Sequence, residues 1–184
     1  MMLLDEDEGK TAICIAKKAV FSKVAGINIE CPPVTDIFKE KRGVFVTIRE
    51  YGELRGCIGY PYPVLPLLEA ISDAAVSAAT KDPRFMAVTS KELEEIEFEV
   101  TVLTPPVRLT CPASKRDSHV IIGKHGLIIR GAGTSGLLLP QVATEYVWSP
   151  KEFLDYTCIK AGLPKGCWME EKFEIMTFEG QIFN

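Results

Sequence analysis

Histidine is scarce, occurring only at His119 and His125. That supplies a Cys/His zinc cluster poorly, and the expectation is no metal site. Basic charge is not in excess either: 21 Lys and Arg stand against 25 Asp and Glu, a net charge of −4. Non-specific nucleic-acid binding relies on basic surface to release counterions, so a nucleic-acid partner is not expected. No apolar run reaches membrane-spanning length; those around Ile128 and Leu137–Leu139 are strand-sized and broken by glycine or charge. The first residues, Met1 to Glu8, lack the basic-then-apolar order of a secretory signal. The six cysteines, Cys14, Cys31, Cys57, Cys111, Cys158 and Cys167, include no C-x-x-C pair. An even count alone does not make a disulfide framework in a chain this large, so reduced thiols and a cytoplasmic location are expected. There is no internal repeat and no long linker.

What is present is an ordinary globular balance, 47% hydrophobic and 25% charged over 184 residues, enough for one domain or two intimate lobes. The densest local signal is Leu54-Arg55-Gly56-Cys57-Ile58-Gly59. Strict strand alternation puts Leu54 and Ile58 on one face, read as core, and Arg55 and Cys57 on the other. A fixed guanidinium beside a thiol favours the reactive thiolate, and Gly56 and Gly59 would let a ligand or another backbone come close. The plainer alternative is a buried structural cysteine beside a salt-bridged arginine. Gly43–Ile48 reads as the partner strand, joined through a turn at Glu50–Glu53.

The flanks are legible in the same way. Apolar residues at Ile13, Ala16, Val20 and Val24 predict a helix over Thr11–Val24, stopped by Gly26. Val64–Thr80 is an alanine-rich helix apolar on most sides, hence buried nearly all round, with Pro66 in its first turn and Pro83 beyond its end. Asp82 and Arg84 there suit a capping and anchoring role. Ile96, Phe98, Val100 and Val102 alternate with polar residues in the clearest amphipathic strand. Val120–Ile122 and Leu127–Ile129 predict a second hairpin with Lys124 and His125 at its tip. Gly131–Gly136 fits G-x-G-x-x-G, but a strand rather than a helix follows it, so it is a loop and not a dinucleotide site. Ser149-Pro150-Lys151-Glu152 opens a helix with a capping box. Strands and helices mix without a βαβ beat, so the class is α+β. The strand-rich stretch 96–139, set between helix-rich flanks, predicts a smaller lobe there and a larger one from 1–95 plus 140–184.

Leu54–Gly59, followed by Lys81-Asp82-Pro83-Arg84-Phe85, then Gly136–Val142 with Glu145 and Lys160–Leu163 with Trp168, resembles the signature of the AMMECR domain family. These matches keep the family's order over nearly the whole chain, which looks like a single stand-alone domain of the archaeal type. The resemblance implies an α+β protein of two lobes, each on an antiparallel sheet, helices mainly on the larger, with the Leu54–Gly59 strand in a cleft between them. It also implies a neighbourhood of modification systems, since the domain occurs beside a Memo-like domain and a radical S-adenosylmethionine enzyme. It names no reaction and no cofactor.

Two functions follow. In one, Cys57 is a nucleophile or redox thiol, Arg55 binds an anionic group, and Glu145 or His125 moves protons. In the other, the domain is a non-catalytic module gripping a small molecule or protein, with Arg55, Gln141 and Glu145 as recognition groups and Cys57 as packing.

Overall fold

The computed structural model describes residues 3–184. They form an α+β fold of two compact units, one running to Leu103 and taking in Gln181–Asn184, the other Thr104–Gly180.

The first unit opens with α1, Glu6–Ala25. It starts five residues before the expected Thr11 because Asp5 and Glu8 make a reciprocal capping box, a signal the acidic run conceals. Gly26 ends it in the left-handed conformation at φ 70°. Strands β1 (Val44–Glu50) and β2 (Glu53–Tyr60) form the predicted hairpin, closed by Tyr51 and Gly52, both at positive φ. Helix α2 spans Leu67–Thr80, and β3 spans Ile96–Leu103. The strand order is β2-β1-β3, antiparallel throughout, with Val46 opposite both Ile58 and Val100. That register puts Val44, Val46, Ile48, Val100 and Val102 on one face, where they join Ala70, Ile71 and Ala74 of α2 and Ala12, Ala16 and Val20 of α1 in a single core. Helix α2 is not buried all round: Leu68, Glu69 and Asp73 are exposed.

The alanines matter because they let the helix descend onto the strand. A Cβ built on Gly56 would lie 2.3 Å from the Ala78 carbonyl oxygen, a backbone atom that cannot swing aside. Gly56→Ala is therefore expected to force α2 off β2 and cost about 1–3 kcal/mol, read as a lower thermal midpoint. An unchanged midpoint would mean the helix is not seated as closely as this.

The second unit is built on a sheet of order β4-β7-β5-β6, from Val107–Arg108, Glu174–Phe183, His125–Gly131 and Thr134–Leu138. Helices α3 (Pro140–Glu145) and α4 (Pro150–Lys160) belong to it, α4 with the Ser149–Glu152 capping box. Its core gathers Leu127, Ile129, Phe153, Leu154, Trp168 and Ile175. The glycine-rich stretch is a two-residue hairpin turn, Ala132 and Gly133 at φ 52° and 77°, which leaves no helix opening there.

Two expectations are corrected here. Residues 120–122 form no strand. Ile121 instead opens a turn whose carbonyl accepts from the Lys124 and His125 amides, and β5 takes its partners from β6 and β7. The division of the chain also differs from 96–139 against the rest. Strand β3 pairs along the whole of β1, since its alternating apolar set completes the first core, and 140–180 sits with the second sheet because α4 buries Phe153 and Leu154 against it.

Candidate functional site

Strand β2 does not alternate strictly. Thr47 faces Cys57 and Ile48 faces Gly56, but Arg49 faces Leu54, so Arg55 is an extra residue in a β-bulge. Residues opposite one another share a face, and the bulge therefore moves Leu54 onto the side of Cys57, Thr47 and Arg49. Leu54 is 37% exposed rather than core, while Ile58 packs against the core as expected.

The bulge also re-aims Arg55. Its Nε donates to Glu92 Oε1 at 2.8 Å, a second guanidinium nitrogen lies 2.8 Å from the same oxygen, and a third donates to the Met86 carbonyl at 2.8 Å. The Arg55 side chain is only 13% exposed. Glu92 is meanwhile the cap of its own turn, accepting from the Thr89 amide and hydroxyl. Burial pushes its carboxyl upward, but the Thr89 donors and Arg55 outweigh that and hold it below the usual range. Arg55 is thus committed to an internal ion pair, not to the thiol beside it in sequence.

Cys57 is fixed by different groups. Its amide donates to Asp82 Oδ2 at 2.9 Å, and its carbonyl accepts from Arg84 at 3.4 Å. Both backbone groups of Cys57 point out of the sheet edge, so Thr47 and Cys57 form a non-hydrogen-bonded pair whose side chains lie close. The Thr47 hydroxyl donates to the Cys57 sulfur at 3.4 Å. Asp82 is buried and also accepts from the Arg84 amide and guanidinium, with oxygens at 3.1, 3.0 and 2.7 Å. The Arg84 guanidinium, ahead of the Cys57 amide, holds the Asp82 carboxyl far below its ordinary value. This clamp closes the open edge of β2 with charge, one of the ways folded proteins protect an edge strand. The anchoring role expected for Asp82 and Arg84 is what they perform.

The paired cysteines overturn the expectation of reduced thiols. Cys14 is bonded to Cys31 and Cys158 to Cys167, leaving Cys57 and Cys111 free. The chain reverses after α1 at Gly26 and after α4 at Gly162, both at positive φ, and each reversal returns a cysteine to the helix it left. Separations of 17 and 9 residues carry no such information in one dimension.

The glycines of the motif are filled from within. Gly56 meets Ala78, and a Cβ on Gly59 would lie 2.2 Å from the Val44 carbonyl oxygen. In the second unit, His125 begins β5 rather than tipping a hairpin, and its Nδ1 accepts from the Ile121 amide at 3.2 Å. Burial, ahead of the opposing Glu179 carboxylate, pushes its pKa down, and with Nδ1 accepting, the proton of the neutral ring sits on Nε2. Gln141 is half-buried on α3 and Glu145 is exposed at its end. Thr47 is the neighbour of Cys57 that sequence reasoning missed, and Glu99 opposite it on β3 reads in sequence only as part of a solvated face. Only the register aligns them with Cys57.

Among the described residues no His, Cys, Asp and Glu cluster could hold a metal, and no helix is long and apolar enough to cross a membrane. Comparison with known proteins gives consistent matches along the chain. The AMMECR1 family model matches residues 13–183. A protein of Methanothermobacter thermautotrophicus is 47% identical over 185 residues, covering 98% of this chain and 96% of that one. Protein MJ0810 of Methanocaldococcus jannaschii is 46% identical over 186 residues, covering 100% and 92%. The crystal structure of uncharacterized protein PH0010 from Pyrococcus horikoshii matches with a TM-score of 0.81 at 40% identity, covering 97% of this chain and 92% of that one. None of these names carries an activity. With the sequence signature, the α+β fold and full-length relatives in agreement, the chain belongs to the AMMECR1 family.

Proposed function

We propose that the protein is a non-catalytic recognition module, accessory to a modification system, that grips a small molecule or a protein partner through the face of β2 bearing Cys57. The observation that carries this is the pairing of the charges around the motif. Arg55 is bound to Glu92 and Asp82 to Arg84, so neither ion pair offers the thiol a free proton acceptor, and Glu99, on the same face, lies one strand further away, opposite Thr47 on β3. Nucleophilic cysteine chemistry needs a base within hydrogen-bond reach. The proposed location is the cytoplasm.

A cysteine-dependent enzyme is the second reading, favoured by one contact. The Thr47 hydroxyl donates to the Cys57 sulfur and would stabilise a thiolate. Alkylation of unreduced protein with iodoacetamide, followed by peptide mapping, distinguishes the two. A recognition module should show Cys57 reacting no faster than free glutathione, and Cys57→Ser should retain any small molecule that co-purifies with the wild type. Labelling of Cys57 more than about tenfold faster than glutathione would instead mark an activated thiol and favour the enzyme.

A further inference from the structure

Helices α1 and α2 of the first unit, together with the extended chain after Gly26, line a groove of about 800 Å³. That volume lies within the range of about 300–1,000 Å³ typical of small-ligand sites. Its surface is mainly apolar, with Ile15 and Ala19 from α1, Leu68 from α2 and Val34 from the extended segment. Leu68 and Val34 are among the large apolar residues this protein leaves exposed.

The charge lining the groove is of one sign. Lys18 and Lys23 line it, and no carboxylate does, on a chain whose net charge is −4. Six other lysines have an ion pair, among them Lys10 with Glu6 and Lys39 with Asp36, and six have none among the described residues. Lys18 and Lys23 have no ion-pair partner among the described residues. Lys18 and Ser22 are one helical turn apart and Lys23 follows, so both ammonium groups belong to one stretch of α1.

The remaining wall is built by a covalent bond. The segment from Ile27 to Thr35 is tied at its ends, where the Ile27 amide donates to the Phe21 carbonyl and the Thr35 hydroxyl to Glu8 at 2.6 Å. Midway, the bond from Cys31 to Cys14 holds it against α1, and Cys31 itself lines the groove.

From this juxtaposition we propose that the groove is a binding site for a free acyl carboxylate, the alkyl chain lying on Ile15, Ala19, Val34 and Leu68 and the carboxylate meeting Lys18 and Lys23. The Cys14–Cys31 bond shapes the site. An apolar floor selects the chain by burial, and unpaired ammonium groups beside it select an anion over a cation. The site is independent of the Cys57 face.

The test is titration calorimetry of the intact, oxidised protein with dodecanoate, kept well below micelle-forming concentration. Dodecyltrimethylammonium serves as the cationic control. Dodecanoate is expected to bind one to one, and the cation at least about tenfold more weakly. Lys18→Gln with Lys23→Gln should weaken dodecanoate by about tenfold while leaving the thermal midpoint unchanged, both side chains being exposed. Opening Cys14–Cys31 with a phosphine reductant should also weaken binding. Equal affinity for the two amphiphiles, or an unchanged lysine variant, would overturn the proposal. So would two other occupants: a second copy closing the groove, seen as a dimer in sedimentation, or anionic phospholipid vesicles bound while dodecanoate is not. If reduction leaves dodecanoate affinity unchanged, the disulfide has no part in the site and that element of the proposal fails.

Discussion

Asp82→Ala is expected to lower stability by about 2–4 kcal/mol, because it strips the acceptor from two backbone amides at a buried position. The amides are those of Cys57 and Arg84, which now donate to Asp82. The ion pair as such contributes less, since the Arg84 side chain is 53% exposed and its charge can return to water. For a chain of this size the loss should appear as a fall of about 5–15 °C in the thermal midpoint. The same carboxylate sets a pH dependence whose sign is fixed. Its folded pKa is depressed, first by the Arg84 guanidinium. Its stabilisation is therefore fully present above the unfolded value of about 3.9 and is lost as pH falls towards the folded one. Wild type should lose stability on acidification below about pH 4 more steeply than Asp82→Ala does. Parallel acid profiles for the two proteins would show that Asp82 does not carry the clamp.

Opening the disulfides is expected to have an effect of similar size, divided unequally in access. Chain-entropy arguments give about 3 kcal/mol for the 17-residue separation of Cys14 and Cys31, and about 2.5 kcal/mol for the 9-residue separation of Cys158 and Cys167. Cys158 and Cys167 are 0% and 2% exposed, whereas Cys14 and Cys31 are half-buried. Under a mild reductant without denaturant, Cys14–Cys31 should open first. Cys158–Cys167 should persist until the second core unfolds. Pulsed alkylation and intact mass would then show two newly labelled cysteines before denaturation and four after it. Simultaneous release of all four would mean that burial does not protect the inner bond.

Much of the local structure was legible along the chain. The capping box at Ser149, the left-handed stop at Gly26, the turn at Tyr51-Gly52 and the apolar alternation from Ile96 to Val102 are short-range signals, each set by a few adjacent residues. The cap at Asp5 is just as local, but the run of acidic residues hid it and the expected start lay at Thr11. Val120–Ile122 failed for the opposite reason: a β-branched run has strand propensity, yet no neighbouring strand accepted it.

The contacts of the Leu54–Gly59 strand were not legible as an arrangement. Sequence marked Arg55, Gly56, Cys57 and Gly59 as one unit, and marked Asp82 and Arg84 as anchors. Alternation then paired Arg55 with Cys57, and that depended on a regular strand. One extra residue at Arg55 shifts the register, sends the guanidinium to Glu92 and turns Leu54 to the other face. The strand glycines are the kind that often mark a bulge, but which residue is extra depends on the strand opposite.

The sequence by itself therefore determined the class, the placement of most helices and strands and the family, because those follow from periodicity, caps, turn residues and motifs close along the chain. The tertiary structure alone decided the partners: Arg55 with Glu92, Cys57 with Asp82 and Thr47, Cys14 with Cys31, and the company of β3 and α4. Each joins residues distant in sequence whose meeting is set by register and by the packing of whole elements. That information is held by the core as a whole and by no single segment.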